Sequence, residues 1–238
     1  TVGVYINNKN IFDKINETSC QKFLLSAEAH TRHPVLDNCH SFVQDPRPND
    51  DKKYIRYCPT MCCWSPPVSK SQFSINLLNS LKNPPNLVSA IDSGMYSWRK
   101  EIINNLFSKL GGKMDLFGGG FKNNLGGYHH NTGTKFLNEK YISLQPYFFS
   151  LGIENDTAKH SKEDYITEKV TDPIMCETLP VCQTAPNLNQ YFIEGSYILL
   201  SDFNNLDFNN LAQEYTSRKK QLLQQKEYLK THLNVFKY

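Results

Sequence analysis

The sequence predicts an α/β protein built on parallel β-sheets. Short apolar runs alternate with amphipathic helical stretches across residues 87–201. Those runs are continuous and lack the polar alternation of a sheet with one wet face, so both faces should be covered by helices. The length, 238 residues, allows one large domain or two small ones. Hydrophobic residues at 39%, aromatics at 12% and a net charge of only +3 exclude a disordered chain. The same small charge gives no reason to expect a nucleic-acid partner. No apolar run approaches the roughly 18 residues of a membrane span, and the first residues carry no signal-peptide pattern, so a soluble domain is expected.

The first half reads as irregular. Residues 1–6 and 22–27 look strand-like, and a loop-rich region follows, punctuated by Pro34, Pro46, Pro48, Pro59, Pro66 and Pro67. Residues 73–81 read as a short helix ending at Asn83-Pro84-Pro85-Asn86, where Pro-Pro cannot continue it and a domain linker is natural. This predicts a domain over 1–85, a second over 86–205 and a C-terminal helix over 206–238.

Beyond the linker the pattern is regular. Residues 87–91 form an apolar run, and 97–110 a helix with Trp98, Ile102, Leu106 and Leu110 at a spacing of four. Another run, 114–117, precedes the glycine-rich 118–127, which lacks the G-x-G-x-x-G spacing of a dinucleotide turn and reads as a loop. A helix over 135–144 leads to a buried strand at 147–153. Then come a helix near 165–175, strands at 179–182 and 197–201, and a long amphipathic helix from about Leu206.

Seven cysteines cannot all enter a closed disulfide framework. Cys58, Cys62 and Cys63, with Cys39 and His40 upstream, have the residue types of metal ligands. They form one loose group where zinc sites show two short pairs, so half-buried thiols are the favoured reading and no metal is expected.

Ligands of parallel sheets bind beyond the carboxyl ends of the strands, which directs attention to three places. Arg99 lies in the first turn after the 87–91 run. A cation there opposes the helix dipole unless an anion is bound, and a snorkelling surface arginine explains the position equally well. Glu154-Asn155 ends the 147–153 strand, and Asp164-Tyr165-Ile166-Thr167-Glu168-Lys169 follows. With Asp164 as N-cap, the helix start and the Lys169 charge suit a diphosphate, while the Glu168 carboxylate suits hydroxyl groups such as a ribose's. A capped surface helix with an acid–base pair is the plainer reading. Glu28 closes the 22–27 strand, where a shielded carboxylate with raised pKa serves as a general base, although strand-end glutamates are common surface residues.

Residues 149–155 followed by 164–169 resemble the family-10 glycosyltransferases, the α-1,3/α-1,4-fucosyltransferases, whose hallmark is a strand ending in Glu-Asn and then Asp/Gly-Tyr-Val/Ile-Thr-Glu-Lys. Leu179-Pro180-Val181 and residues 196–203 resemble the family's next segments, and 115–127 the glycine- and asparagine-rich stretch of its short bacterial members. Lys53-Tyr54-Ile55-Arg56-Tyr57 is similar to a segment shortly after the family's acid. The likeness covers roughly 22–205. Departures are a longer loop over 156–163, Pro173 inside the donor helix, where it should shorten or kink it, and Thr184 where the family commonly has glycine.

The resemblance implies a GT-B fold of two Rossmann-like domains, the C-terminal one complete and the N-terminal one short or truncated. It implies an inverting transfer of L-fucose from GDP-fucose to a hydroxyl of a GlcNAc-containing glycan. Arg99 and Lys169 would hold the diphosphate, Glu168 the ribose, Tyr165 and Asn155 the nucleotide-sugar, and Glu28 the acceptor hydroxyl. No cofactor would be required, a divalent metal would at most stimulate, and the compartment, cytoplasmic or Golgi-lumenal, stays open. Three alternatives remain: a transferase using another nucleotide-sugar, a truncated, non-catalytic nucleotide- or glycan-binding homologue, and a metal-stabilised interaction module built on Cys58, Cys62 and Cys63.

Overall fold

The computed structural model describes residues 22–26, 39–43 and 54–56 as backbone strands, and residues 87–92, 96–118, 121, 143–154, 166–184 and 186–232 in full. Strands β1 (Lys22–Ser26), β2 (Cys39–Val43) and β3 (Tyr54–Arg56) form a parallel sheet in the order β1-β2-β3, with Lys22 opposite Cys39 and Ser41 opposite Tyr54. β1 falls where the sequence predicts a strand. β2 and β3 lie in the stretch read as loop-rich, because Cys39-His40-Ser41 breaks any apolar run and β3 is only three residues long. The expectations for residues 1–6 and 73–81, and for most of 135–144, fall outside the described residues; 143–146 form a turn.

The second sheet contains β4 (Val88–Ile91), β5 (Met114–Phe117), β6 (Phe149–Ile153), β7 (Leu179–Gln183) and β8 (Ile198–Leu199), all parallel. The parallel α/β expectation therefore holds. Every residue of β6 is buried, as a strand covered on both faces requires. The spatial order is β5-β4-β6-β7-β8, so the chain steps from β4 to one side, then returns to β4's other flank and continues outward. The direction reverses between β4 and β6, whose residues Val88 and Ala90 lie opposite Phe149 and Leu151. Such a reversal opens a crevice beyond the carboxyl ends of the two strands.

Helix α1 (Ser97–Lys109) joins β4 to β5, burying Ile103 and Leu106, and stops at Gly111-Gly112, both in the left-handed region. Helix α2 (Glu168–Met175) joins β6 to β7 and starts later than the 165–175 prediction. Pro173 does not end it: the helix runs on to Met175, and the Cys176 N–H still bonds to the Asp172 carbonyl at 3.0 Å. Pro173 offers no N–H to the Lys169 carbonyl four residues back, and that carbonyl instead faces Gly152 of β6. A strand over 197–201 is corrected: only Ile198 and Leu199 pair with β7, and helix α3 (Leu200–Phe203) turns Phe203 onto Phe149, ring centroids 5.4 Å apart.

Residues between α3 and Asn210 make turns built on Asp207, whose carboxylate accepts from the Asn209 N–H at 3.0 Å and the Asn210 side chain at 2.6 Å. The long helix α4 (Leu211–His232) therefore begins five residues after the expected Leu206. It buries Leu211, Tyr215, Leu222 and Leu229, and Tyr215 stacks on Phe148 at 4.4 Å. These side chains join Val88, Ala90, Phe149, Val170, Ile174 and Val181 in one core. Cys176 and Cys182 are free thiols, wholly buried rather than half-buried; Cys20, Cys58, Cys62 and Cys63 lie outside the described residues.

Candidate active site

The two strand ends that flank the switch point, those of β4 and β6, carry the same arrangement. Asp92 follows β4, and its N–H is tied to the Phe117 carbonyl of β5 at 3.0 Å. Gly118 packs so closely on the Asp92 carbonyl, at φ +95°, that a Cβ there would collide with it. Seven residues on, Arg99 lies in the first turn of α1, which has no acidic residue in that turn and no side-chain cap. Its Nη1 stands 3.6 Å from Asp92 Oδ1, and its guanidinium carbon 5.2 Å and 5.7 Å from the ring centroids of Tyr96 and Trp98. Arg99 is only 5% exposed. That burial rules out the snorkelling alternative, because a snorkelling arginine keeps its head in water.

Glu154 follows β6 and is completely buried. It takes the Thr167 N–H at 2.8 Å, and the Thr167 hydroxyl donates toward both its oxygens at 2.8 and 2.7 Å. Thr167, not Asp164, caps α2, accepting from the Lys169 N–H at 3.3 Å. Both residue types make good caps; the fixed point at Glu154 selects Thr167, a contact that local spacing does not reveal. The Lys169 ammonium lies 3.4 Å from Glu154, 3.3 Å from Glu168 and 3.3 Å from the Thr167 hydroxyl. Burial pushes the Glu154 carboxyl above its ordinary range and Glu168 adds to that, while Lys169 and the Thr167 hydrogen bonds pull it back. The Cys182 thiol, opposite Gly152 on β7, is pushed up by burial and by the Glu154 charge.

Of the residues the sequence singles out, Arg99, Glu168 and Lys169 are placed in full, on the first turns of helices that follow adjacent strands. Lys169 remains 23% exposed at its side chain and Glu168 37%, so both reach solvent. Glu28, Asn155 and Tyr165 lie outside the described residues. Asp92 and the anchoring part of Glu154 and Thr167 do not stand out in the sequence. The available signal was an acidic residue ending each apolar run, at Asp92 and at Glu154. Among the described residues no group of His, Cys, Asp or Glu has a metal-binding arrangement.

A cavity of about 890 Å³ opens beside this site between α1, the end of β7 and α3, lined by Ile102, Asn105, Gln183, Thr184, Tyr197 and Leu199. Neither Arg99 nor Lys169 lines it. It borders the charged site through Gln183, whose carbonyl accepts the Glu154 N–H at 3.1 Å.

Chemically, two cations and the N-terminal N–H groups of α2 stand beyond the carboxyl ends of two adjacent strands, which suits a multiply charged anion. The α-(1,3)-fucosyltransferase FucT of Helicobacter pylori is 27% identical over 135 residues, 57% of this chain and 23% of that protein. A crystal structure of an α1,3-fucosyltransferase with GDP-fucose aligns with a TM-score of 0.49 and 18% identity over 90% of this chain and 66% of that one. A second, with GDP, gives 0.49 and 18% over 88% and 66%. The chain thus spans about a quarter of the curated relative and just under two thirds of the solved ones. The sequence model of glycosyltransferase family 10 (fucosyltransferase), C-terminal part, matches residues 85–234, well over half of the chain, and covers β4 to β8 and α4. The chain belongs to glycosyltransferase family 10, the fucosyltransferases.

Proposed function

We propose that this chain is a GDP-fucose-dependent α-1,3-fucosyltransferase that moves L-fucose to a hydroxyl of a GlcNAc-containing glycan with inversion. The observation that carries the reading is the placement of Arg99 and Lys169 after adjacent strands at the switch point of a parallel sheet. Fucosyl transfer passes through an oxocarbenium-like state while negative charge gathers on the departing GDP. Arg99, Lys169 and the α2 N-terminus stabilise that charge, so a divalent metal is at most stimulatory. Glu168 takes the ribose hydroxyls, Asn155 and Tyr165 hold the nucleotide-sugar, and Glu28 accepts the proton of the attacking hydroxyl. In this reading residues 86–205 form the donor domain of a GT-B enzyme and residues 1–85 its acceptor side, each a Rossmann-like unit.

The test is release of GDP and formation of fucosylated product with GDP-fucose against an array of glycan acceptors. Lys169→Ala should lower the rate by about 10²–10³, the scale of one transition-state charge donor. Glu28→Ala should lower it by about 10²–10⁴, as for a general base. Preference for GDP-mannose or a UDP-sugar would reject the donor assignment. GDP binding without turnover on any acceptor would mark a binding homologue instead.

A further inference from the structure

We propose that Asp92 is the positioning residue for Arg99, fixing its guanidinium at the diphosphate end of the donor site. This rests on the donor-site reading above and adds to it a residue that the reading leaves without a part. The Asp92 side chain is wholly buried, and neither of its carboxylate oxygens has a hydrogen-bond donor among the described residues. A buried carboxylate in that state persists only beside an opposite charge, and Arg99 supplies it at 3.6 Å. At that separation the attraction is electrostatic and is not a hydrogen bond.

The acid itself is held rigidly. Its N–H is bonded into β5, and Gly118 closes on its carbonyl, so Asp92 has little room to shift. Tyr96 and Trp98 flank the guanidinium, adding cation–π attraction that limits its tilt. An arginine side chain is long and mobile, and the buried charge narrows the positions its head can take. The neighbouring strand repeats the device, with Glu154 anchoring Lys169 through charge and through Thr167. Each cation of the site thus has its own acid at the end of its own strand.

The experiment is a calorimetric titration of GDP into the wild-type chain, Asp92→Asn, Arg99→Lys and the double variant, with melting curves for all four. Asp92→Asn should weaken GDP binding about tenfold, a coupling typical of residues in contact. Arg99→Lys should weaken it too, and the double variant should bind no more weakly than Arg99→Lys alone. An unchanged or tighter affinity in Asp92→Asn would overturn the inference, as would losses that simply multiply in the double variant. Should Asp92→Asn fail to melt cooperatively, Asp92→Glu, which keeps the charge but displaces it, enters the same cycle with the same expectation. A wild-type chain that does not bind GDP would overturn the donor-site reading and this inference with it. Binding by the wild type with no response to either Asp92 variant would overturn the inference alone.

Discussion

Glu154 shows how a single buried carboxyl sets the chemistry around it. Unfolded, it titrates near its ordinary 4.5, whereas burial, reinforced by Glu168, keeps its proton on to higher pH in the folded chain. Between those two values the folded state binds more protons than the unfolded one. The contribution of this group to stability is therefore fully present below 4.5 and is lost as pH rises through the folded value. Glu154→Gln should abolish that decline, leaving the urea midpoint flat across the window. A wild-type midpoint that instead rose through the window would mean that Lys169 and Thr167 outweigh desolvation. Arg99 poses the complementary case. Arg99→Met strands the Asp92 charge in the interior, and the cost of breaking a buried pair is about 3–5 kcal/mol. Adding Asp92→Asn should restore most of that loss in urea unfolding, since the buried charge is then gone.

At the scale of elements, α2 is placed by contact with β6 more than by its own sequence. Eight residues with an internal proline make a poor isolated helix, and propensity alone would not hold it. Its first turn is seated because Gly152 lets the Lys169 carbonyl approach; a Cβ at 152 would stand 2.5 Å from that oxygen. Gly152→Ala should push the first turn outward, at a cost of about 1–3 kcal/mol for overpacking. It should also displace Lys169 and weaken GDP binding, which calorimetry would detect; unchanged affinity would show that the lysine is placed independently of this contact. The same element marks the limit of what was legible beforehand. Strands β4 to β7 are readable within two residues because each is a short, mostly apolar run suited to a sheet covered on both faces. The helix start at Thr167 and the end of β8 at Leu199 are not, since each depends on a distant partner: Glu154 for the cap, Phe149 for the turn into α3. Arg99's position in a first turn was readable; its burial beneath Tyr96 and Trp98 was not, because periodicity puts it at the edge of the apolar face.

For the molecule as a whole, α4 decides whether the larger sheet survives, although no residue proposed to touch the donor lies on it. Glu177, just before β7, is the described non-glycine residue in the left-handed region, at φ 58°. A side chain in that region carries a conformational cost and persists only when its surroundings hold it. α4 supplies those surroundings. The Tyr215 hydroxyl, whose pKa burial and Glu177 push up to about 12, donates to the Glu177 carbonyl at 2.7 Å. The Lys226 ammonium bonds to the Glu177 carboxylate at 2.9 Å, and buried Gln225 accepts the Ile193 N–H at 2.7 Å. Leu222 and Leu229, both wholly buried, complete the core above α2. A chain ending at Asn210 would therefore expose that core and release the turn that starts β7. Its far-ultraviolet dichroism should show loss of cooperative melting, beyond the helix signal removed with α4 itself. Gln225→Ala is the gentler form of the same test. It removes the hydrogen bond to the Ile193 N–H at a cost of about 0.5–1.5 kcal/mol, so the melting temperature should fall while the affinity for GDP in the still-folded protein stays the same. Loss of affinity without loss of stability in that variant would place α4 in the donor site instead of beneath it.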